Sequence, residues 1–237
     1  MGQSLIESGV LSPDWAPAFA AVPRSAFLPD LMWAHDMTTG RATPVDRLAD
    51  EVAWMRIAYE NVPLITQWDD GEHNDVRAGT LPTSSASMPS VVAGMLRDLD
   101  IADGMRVLEI GTGTGWNAGL LAWRLGGGRV FSVEVDAQVA AAARSALDRI
   151  GLRPTVECAD GTRGYPPGAP YDRVIATAGV RSVPAAWIEQ TRVGGVILAP
   201  WGSHYSNQEA LVRLSVGADG SASGPFLRPV EFMTLRD

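Results

Sequence analysis

From residue 104 onward the chain alternates short apolar runs with amphipathic stretches. RVLEI, RVFSVEV, TVECAD, DRVIATA and GGVILAPW read as strands, since β-compatible apolar residues cluster there between turn-forming ones. NAGLLAWRL, DAQVAAAARSALDRI and PAAWIEQ carry apolar residues at helical spacing. Such alternation builds a parallel sheet covered by helices on both faces. QEALVRLSV and EFMTLRD follow without a helix between them, joined by the turn GADGSASG, and predict an antiparallel C-terminal edge. The expected fold class is therefore α/β, a Rossmann-like, mostly parallel sheet.

Before residue 100 the pattern is different. Residues 1 to about 60 read as a helical and irregular extension. SPDWAPAFAAV predicts a helix with Ser12 as N-cap and Pro13 at its first position, and VDRLADEVAWMRIAY, Val45 to Tyr59, predicts another. TQWDDGEHNDVRAGTLPTSS, Thr66 to Ser85, is polar and turn-rich: a loop or a pair of edge strands that would serve as a mobile lid. SVVAGMLRDL, Ser90 to Leu99, is again helical. The expected division is an N-terminal helical and lid segment, 1–90, packed on a core of 91–237 within one structural domain. No repeat or linker interrupts it.

A length of 237 residues with 46% hydrophobic content supplies one ordinary α/β core. The net charge of −8 and the scattered arginines argue against a nucleic-acid partner, which wants clustered cations. The single cysteine, Cys158, excludes an internal disulfide and reads as a small buried apolar residue. The N-terminal stretch lacks a basic region followed by an apolar one, and no run of about 18 apolar residues occurs. A soluble cytoplasmic protein without a membrane partner is expected; oligomeric state is not readable.

The densest chemical signal is VLEIGTGTGWNAGLLAWRL, Val107 to Leu125. Glu109 ends a strand, then Gly111, Thr112, Gly113 and Gly115 lead into a helix beginning at Trp116 and Asn117. Glycines at a strand-to-helix turn let a ligand approach the backbone closely. The spacing is ExGxGxG and departs from the dinucleotide fingerprint GxGxxG. RVFSVEV ends in Glu134 and Val135, with Asp136 next, where an acid accepts hydrogen bonds from the two hydroxyls of an unphosphorylated ribose. The third strand ends in Asp160-Gly161, where an acid would hold the exocyclic amine of an adenine. All three sites fall at the C-terminal ends of successive strands, where open sheets bind ligands.

VLEIGTGTGWNAGLLA, VFSVEVD, CADGTRGYPPGAPYDRVIATA and GGVILAPWG resemble the class I S-adenosylmethionine-dependent methyltransferases. With VPRSAFLPD, AYENVPL, SASMPSVVAGML and LRPVEFMTL, the chain is similar, over nearly its whole length, to the protein-L-isoaspartate O-methyltransferase family. The resemblance implies S-adenosyl-L-methionine as cofactor and S-adenosyl-L-homocysteine as product. Glu109, Gly111, Thr112, Gly113, Gly115, Trp116, Asn117, Glu134, Val135, Asp160, Gly161 and Thr177 would hold it, and no metal is expected. Ser87, two residues before the family's proline, is the candidate catalytic residue. Ser84, Ser85, Met88, Ser90, Ala178, Arg181 and Trp201 are candidate substrate contacts. WDDGEHNDVRAGTLPTSSASMP departs from the family's GxGQTIS, Ser90 stands where Tyr or His is usual, and Trp116-Asn117, ATAGVRSVPAAWIEQ and APWG also differ. These variants resemble the branch that methylates an aspartate of ribosomally synthesised peptides, which then closes to an aspartimide. That maturation role is the first expectation, and general isoaspartate repair is the alternative.

The chemistry fits a site without a general base. A carboxylate is already ionised at neutral pH, so catalysis reduces to aiming it and excluding water. The Ser87 hydroxyl would donate to that carboxylate; the competing reading is an N-cap for the helix that follows. Arg181 would pair with a second substrate charge or stand solvated. His35, His73 and His204 read as structural. A small-molecule or nucleic-acid methyltransferase is disfavoured by the absence of an NPPY-like motif. A catalytically silent binding subunit is disfavoured by the intact Glu109, Glu134 and Ser87.

Overall fold

A computed structural model describes residues 1–73 and 75–236, the side chains of 206–208 excepted. The central sheet has eight strands. Its parallel part is β5 (Val107–Ile110), β6 (Val130–Glu134), β7 (Thr155–Cys158), β8 (Tyr171–Ala176) and the start of β9 (Thr191–Ser203), in spatial order β7-β6-β5-β8-β9. β10 (Ser206–Val216) runs antiparallel to β9 and carries β11 (Ala222–Ser223) and β12 (Phe226–Val230). The Rossmann-like expectation holds, and the chain reverses its winding direction between β5 and β8.

Alternation along each strand sorts side chains onto two faces. Val107, Val130, Ile175 and Leu198 pack beneath α2 (Ala16–Ala21), α4 (Pro89–Leu99), α5 (Trp116–Leu125) and α6 (Ala137–Arg149). Leu108, Ile110, Val174, Ala176 and Ile197 face the opposite way, against Trp187 of α7 (Ala185–Glu189). Glu109 therefore shares the α5 face with Val107.

The N-terminal region contains a second sheet where helical and irregular chain was expected. β1 (Leu31–His35), β2 (Ala42–Asp46), β3 (Leu64–Trp68) and β4 (Pro82–Ala86) form an antiparallel sheet in the order β2-β1-β3-β4. Pro44 and Pro82 hid these strands from a pattern reading, yet both lie on edge strands, where a missing N–H is tolerated. Helix α3 is Glu51–Ala58 rather than 45–59: its first expected turn is spent on β2, and Asp50 caps it by accepting from the Ala53 N–H at 2.9 Å. Likewise α2 begins at Ala16, with Trp15 rather than Ser12 at its cap and Pro17 in its first turn. α1 spans Gly2–Glu7.

At the other end, the expected strand EFMTLRD is not one over its described residues, 231–236, and its last residue lies outside them; FLRPV takes that role as β12. The last segment instead leaves the sheet edge and crosses to the strand ends. Gly179 N–H donates to Met233 O at 2.8 Å and Leu235 N–H to Gly179 O at 2.8 Å. Met233 packs against Trp33, Ile65 and Trp68 of the N-terminal sheet. Cys158 is exposed rather than buried, because β7 is the sheet's edge. No helix among the described residues is long and apolar enough to cross a membrane.

Candidate active-site cleft

A cleft of about 600 Å³ lies outside the C-terminal ends of β5, β6 and β8, at the reversal of winding, and β4 roofs it. The glycine turn forms one end. Gly111 has φ +90°, and a Cβ there would lie 2.8 Å from Thr177 Oγ1, so the turn is both left-handed and closely packed. Gly113 donates its N–H to Glu134 Oε2 at 2.8 Å. Glu134 Oε1 also accepts from the Asp136 N–H at 3.2 Å, which fixes the carboxylate at the cleft wall with lone pairs remaining. Thr112, Trp116, Asn117, Val135, Gly161, Thr177 and Ala178 line the same space, as do Ser84, Ser85, Ser87 and Met88 at its far end.

Five expected site residues sit elsewhere. Glu109 is fully buried beneath the turn, because residue alternation in β5 points it at α5. Gly115 (φ +90°) is a packing position, since a Cβ would meet Ala143 of α6 at 3.1 Å. Asp160 spends Oδ1 on the Thr162 N–H and hydroxyl, at 2.8 and 2.6 Å. Ser90 lies in the first turn of α4, its N–H held by Asn61 Oδ1 at 2.9 Å. Trp201 is turned away, its ring against Phe226 and its Nε1–H donating to Arg181 O at 3.1 Å. Arg181 does line the cleft, but its guanidinium is already paired with Glu209 Oε1 at 2.6 Å, and Glu209 is 4% exposed.

Burial pushes the Glu109 carboxyl up to about 7, against the Ser132 and Asn117 hydrogen bonds that pull it down. Thr112 Oγ1 lies 2.6 Å from Ser132 Oγ, so turn, strand and helix are tied to one buried acid. The unfolded carboxyl loses its proton near 4.5, the folded one near 7. Between those values folding takes up a proton, so stability falls as pH rises through the window, by about 3 kcal/mol, and the loss persists above it. Glu109→Gln is expected to flatten this dependence, read as urea midpoints at pH 5 and pH 8. A wild-type midpoint that does not fall between those pH values would contradict the assignment.

Ser87 is placed by the arginine of the VPRSAFLPD segment, whose role the motif alone does not state. Arg24, fully buried, reaches five carbonyls: Ala58, Glu60, Val62, Ala86 and Ser87, at 2.9 to 3.3 Å. Its guanidinium also lies 5.6 Å from the centre of the Trp116 ring, at the start of α5. The Ser87 hydroxyl makes no hydrogen bond within the described residues and lines the cleft. It does not cap α4, whose N-cap position is Met88 without a side-chain bond. The C-terminal segment also went unnoticed as a cleft wall. Glu231 to Arg236 lie along it, and Arg236 pairs with Asp70 and donates to Thr83 O at 3.1 Å. The signal for Glu209 was available: an acid inside an apolar strand needs a partner.

A glycine turn, a strand-end acid and a polar cleft at the reversal point of a parallel sheet place the site where open α/β folds bind ligands. The sequence profile of the family described as protein-L-isoaspartate(D-aspartate) O-methyltransferase (PCMT) matches residues 41–237. The chain belongs to this family, which is one of class I S-adenosylmethionine-dependent methyltransferases. It is 42% identical over 137 residues to "Protein-L-isoaspartate O-methyltransferase" of Thermococcus sibiricus, covering 57% of this chain and 62% of that one. It is 33% identical over 236 residues to "Protein-L-isoaspartate O-methyltransferase 1" of Rhodopseudomonas palustris, covering 99% of this chain and 80% of that one. A solved protein-L-isoaspartate O-methyltransferase superposes with a TM-score of 0.78 at 28% identity, covering all of this chain and 65% of that one.

Proposed function

We propose that the protein transfers a methyl group from S-adenosyl-L-methionine to the carboxylate of an isoaspartyl residue in a peptide or protein. The observation that carries this reading is the position of the unengaged Ser87 hydroxyl, in the same cleft as the glycine turn and Glu134. The residues present fit the cofactor. Gly113 presents bare backbone to the cleft, Glu134 offers a fixed carboxylate to a ribose, and a volume of about 600 Å³ accommodates a nucleoside with a side chain beside it. When bound, the cofactor supplies an electrophilic methyl on a sulfonium. Glu134, the glycine turn and Thr177 orient it. Ser87 donates to one substrate oxygen and leaves the other free to be aimed. The Gly179–Met233–Leu235 backbone contacts hold the C-terminal segment along the cleft, where it excludes water. The methyl ester so formed is open to attack by the neighbouring backbone nitrogen, which closes a succinimide and releases methanol.

The named relatives weigh toward general isoaspartyl substrates rather than the peptide-maturation role expected first. One feature keeps maturation as a second reading, the long acidic β3–β4 connection in place of the family's shorter one. Several unrelated isoaspartyl peptides, their aspartyl counterparts and a cyclic aspartyl peptide, each assayed for S-adenosylhomocysteine release, test this. Turnover of the isoaspartyl set is expected. Turnover of the cyclic aspartyl peptide alone would reverse the preference, and no turnover on any would end the proposal.

Glu134→Ala is expected to weaken S-adenosylhomocysteine binding about 100-fold by calorimetry, since two charge-assisted hydrogen bonds to the ribose are lost at about 1.5–3 kcal/mol each, partly replaced by water. Equal affinity in the variant would remove Glu134 from that role.

A further inference from the structure

A second concavity, about 830 Å³, opens beside the cleft and shares His35, Met37 and Met88 with it. Its floor is apolar, built from Ala34, Val45, Ala53, Ile57 and Val62 of the β1–β2 hairpin, α3 and the chain leading into β3. Its rim is acidic. Asp36, Asp46, Asp50 and Glu60 stand around it, and among the described lining residues Arg56 is the cation that faces them, itself paired with Glu60. Backbone donation from Thr38, then contacts from Thr39, hold Asp36 below the usual carboxylate range, so its charge persists near neutral pH.

Continuity and charge together select an occupant. Met88 follows Ser87 directly and lines both cavities. An extended peptide advances about 3.4 Å per residue, so a chain with its acid at Ser87 places its next residues over Met88 and Met37. Methionines at that junction adapt to varied side chains. We infer that this groove is a subsite for the substrate residues flanking the methylated acid, taking an apolar side chain followed by a basic one. The inference rests on the proposed methyl transfer for the position of the acid. The acidic rim would steer cationic peptides toward the cleft and repel acidic ones.

The test compares two isoaspartyl peptides, one with Leu then Lys on each side of the isoaspartate, the other with Gly then Glu. Both are assayed for turnover and, as fluorescein conjugates, for binding by anisotropy with S-adenosylhomocysteine present. The Leu/Lys peptide is expected to show a KM at least tenfold lower. Ala53→Trp, which fills the floor, and Thr43→Arg, which places a cation on the exposed wall, should each bring the two peptides within about twofold. S-adenosylhomocysteine affinity should hold, as a folding defect would not allow. Turnover without flank preference, or a preference that survives both variants, overturns the subsite and leaves the methyl-transfer reading intact. Flank-dependent binding lost in both variants without any turnover supports the groove as the site of an apolar-then-basic peptide segment and ends the methyl-transfer reading. Neither binding nor turnover ends both. A dimer that Ala53→Trp dissociates would assign the groove to a second copy of the chain and overturn the inference.

Discussion

Arg24→Met is expected to destabilise the protein by about 3–5 kcal/mol, a drop in Tm of about 10 °C for a chain of this size. The side chain is fully buried without a carboxylate partner among the described residues, and burial lowers its pKa to about 9. What solvates the charge is the set of five carbonyls, drawn from the end of α3, the chain leading into β3, and the end of β4. Methionine matches much of the stem but leaves those oxygens without a donor, and an unsatisfied buried acceptor costs about 1–3 kcal/mol. Partial relaxation and water entry keep the total below the simple sum. Arg24→Lys keeps the charge but not the fork, which here spans carbonyls from Ala58 to Ser87, so an intermediate loss is expected. Since Ala86 and Ser87 are two of the tethered residues, turnover should fall in the surviving folded fraction as well. Thermal denaturation with parallel turnover at a temperature well below both midpoints checks this; a loss under about 1 kcal/mol would mean that other donors replace the guanidinium.

The readable parts of the sequence were those where one element sufficed. VLEI, VFSVE and YDRVIA are buried on both faces, so their apolar runs announce strands without knowledge of neighbours. The glycine turn and Glu134 were legible because both sit at strand ends that the alternating pattern locates. The N-terminal sheet was not. Its strands are five residues each, two contain proline, and they take their burial from partners up to about 50 residues away. Glu109 shows a finer limit. The motif places it at the end of β5, but only strand parity against α5 decides that it faces Asn117 and Ser132 rather than the cleft. Arg24 and Glu209 are harder again, because a buried charge is read from its partners. Those partners lie 34 to 63 positions away for Arg24 and 28 for Glu209.

Ser87→Ala should separate structure from chemistry more sharply than any other change. The hydroxyl has no partner among the described residues and caps no helix, so its loss costs no hydrogen bond seen there, and stability should stay within about 0.5 kcal/mol. Cofactor affinity should also hold, because the glycine turn and Glu134 are untouched. Turnover depends on the hydroxyl differently. With an ionised nucleophile and no proton to remove, the barrier is governed by how well the carboxylate is aimed, and one lost positioning donor at such a site costs about 100-fold. The loss should appear mainly in kcat, with Ser87→Thr recovering part of it because the donor is retained. Unchanged turnover in Ser87→Ala would pass the aiming role to other polar groups of β4, namely Ser84 and Ser85, which border the same cleft. A fall in stability matching the fall in turnover would show that the hydroxyl had been holding the β4–α4 bend rather than the substrate.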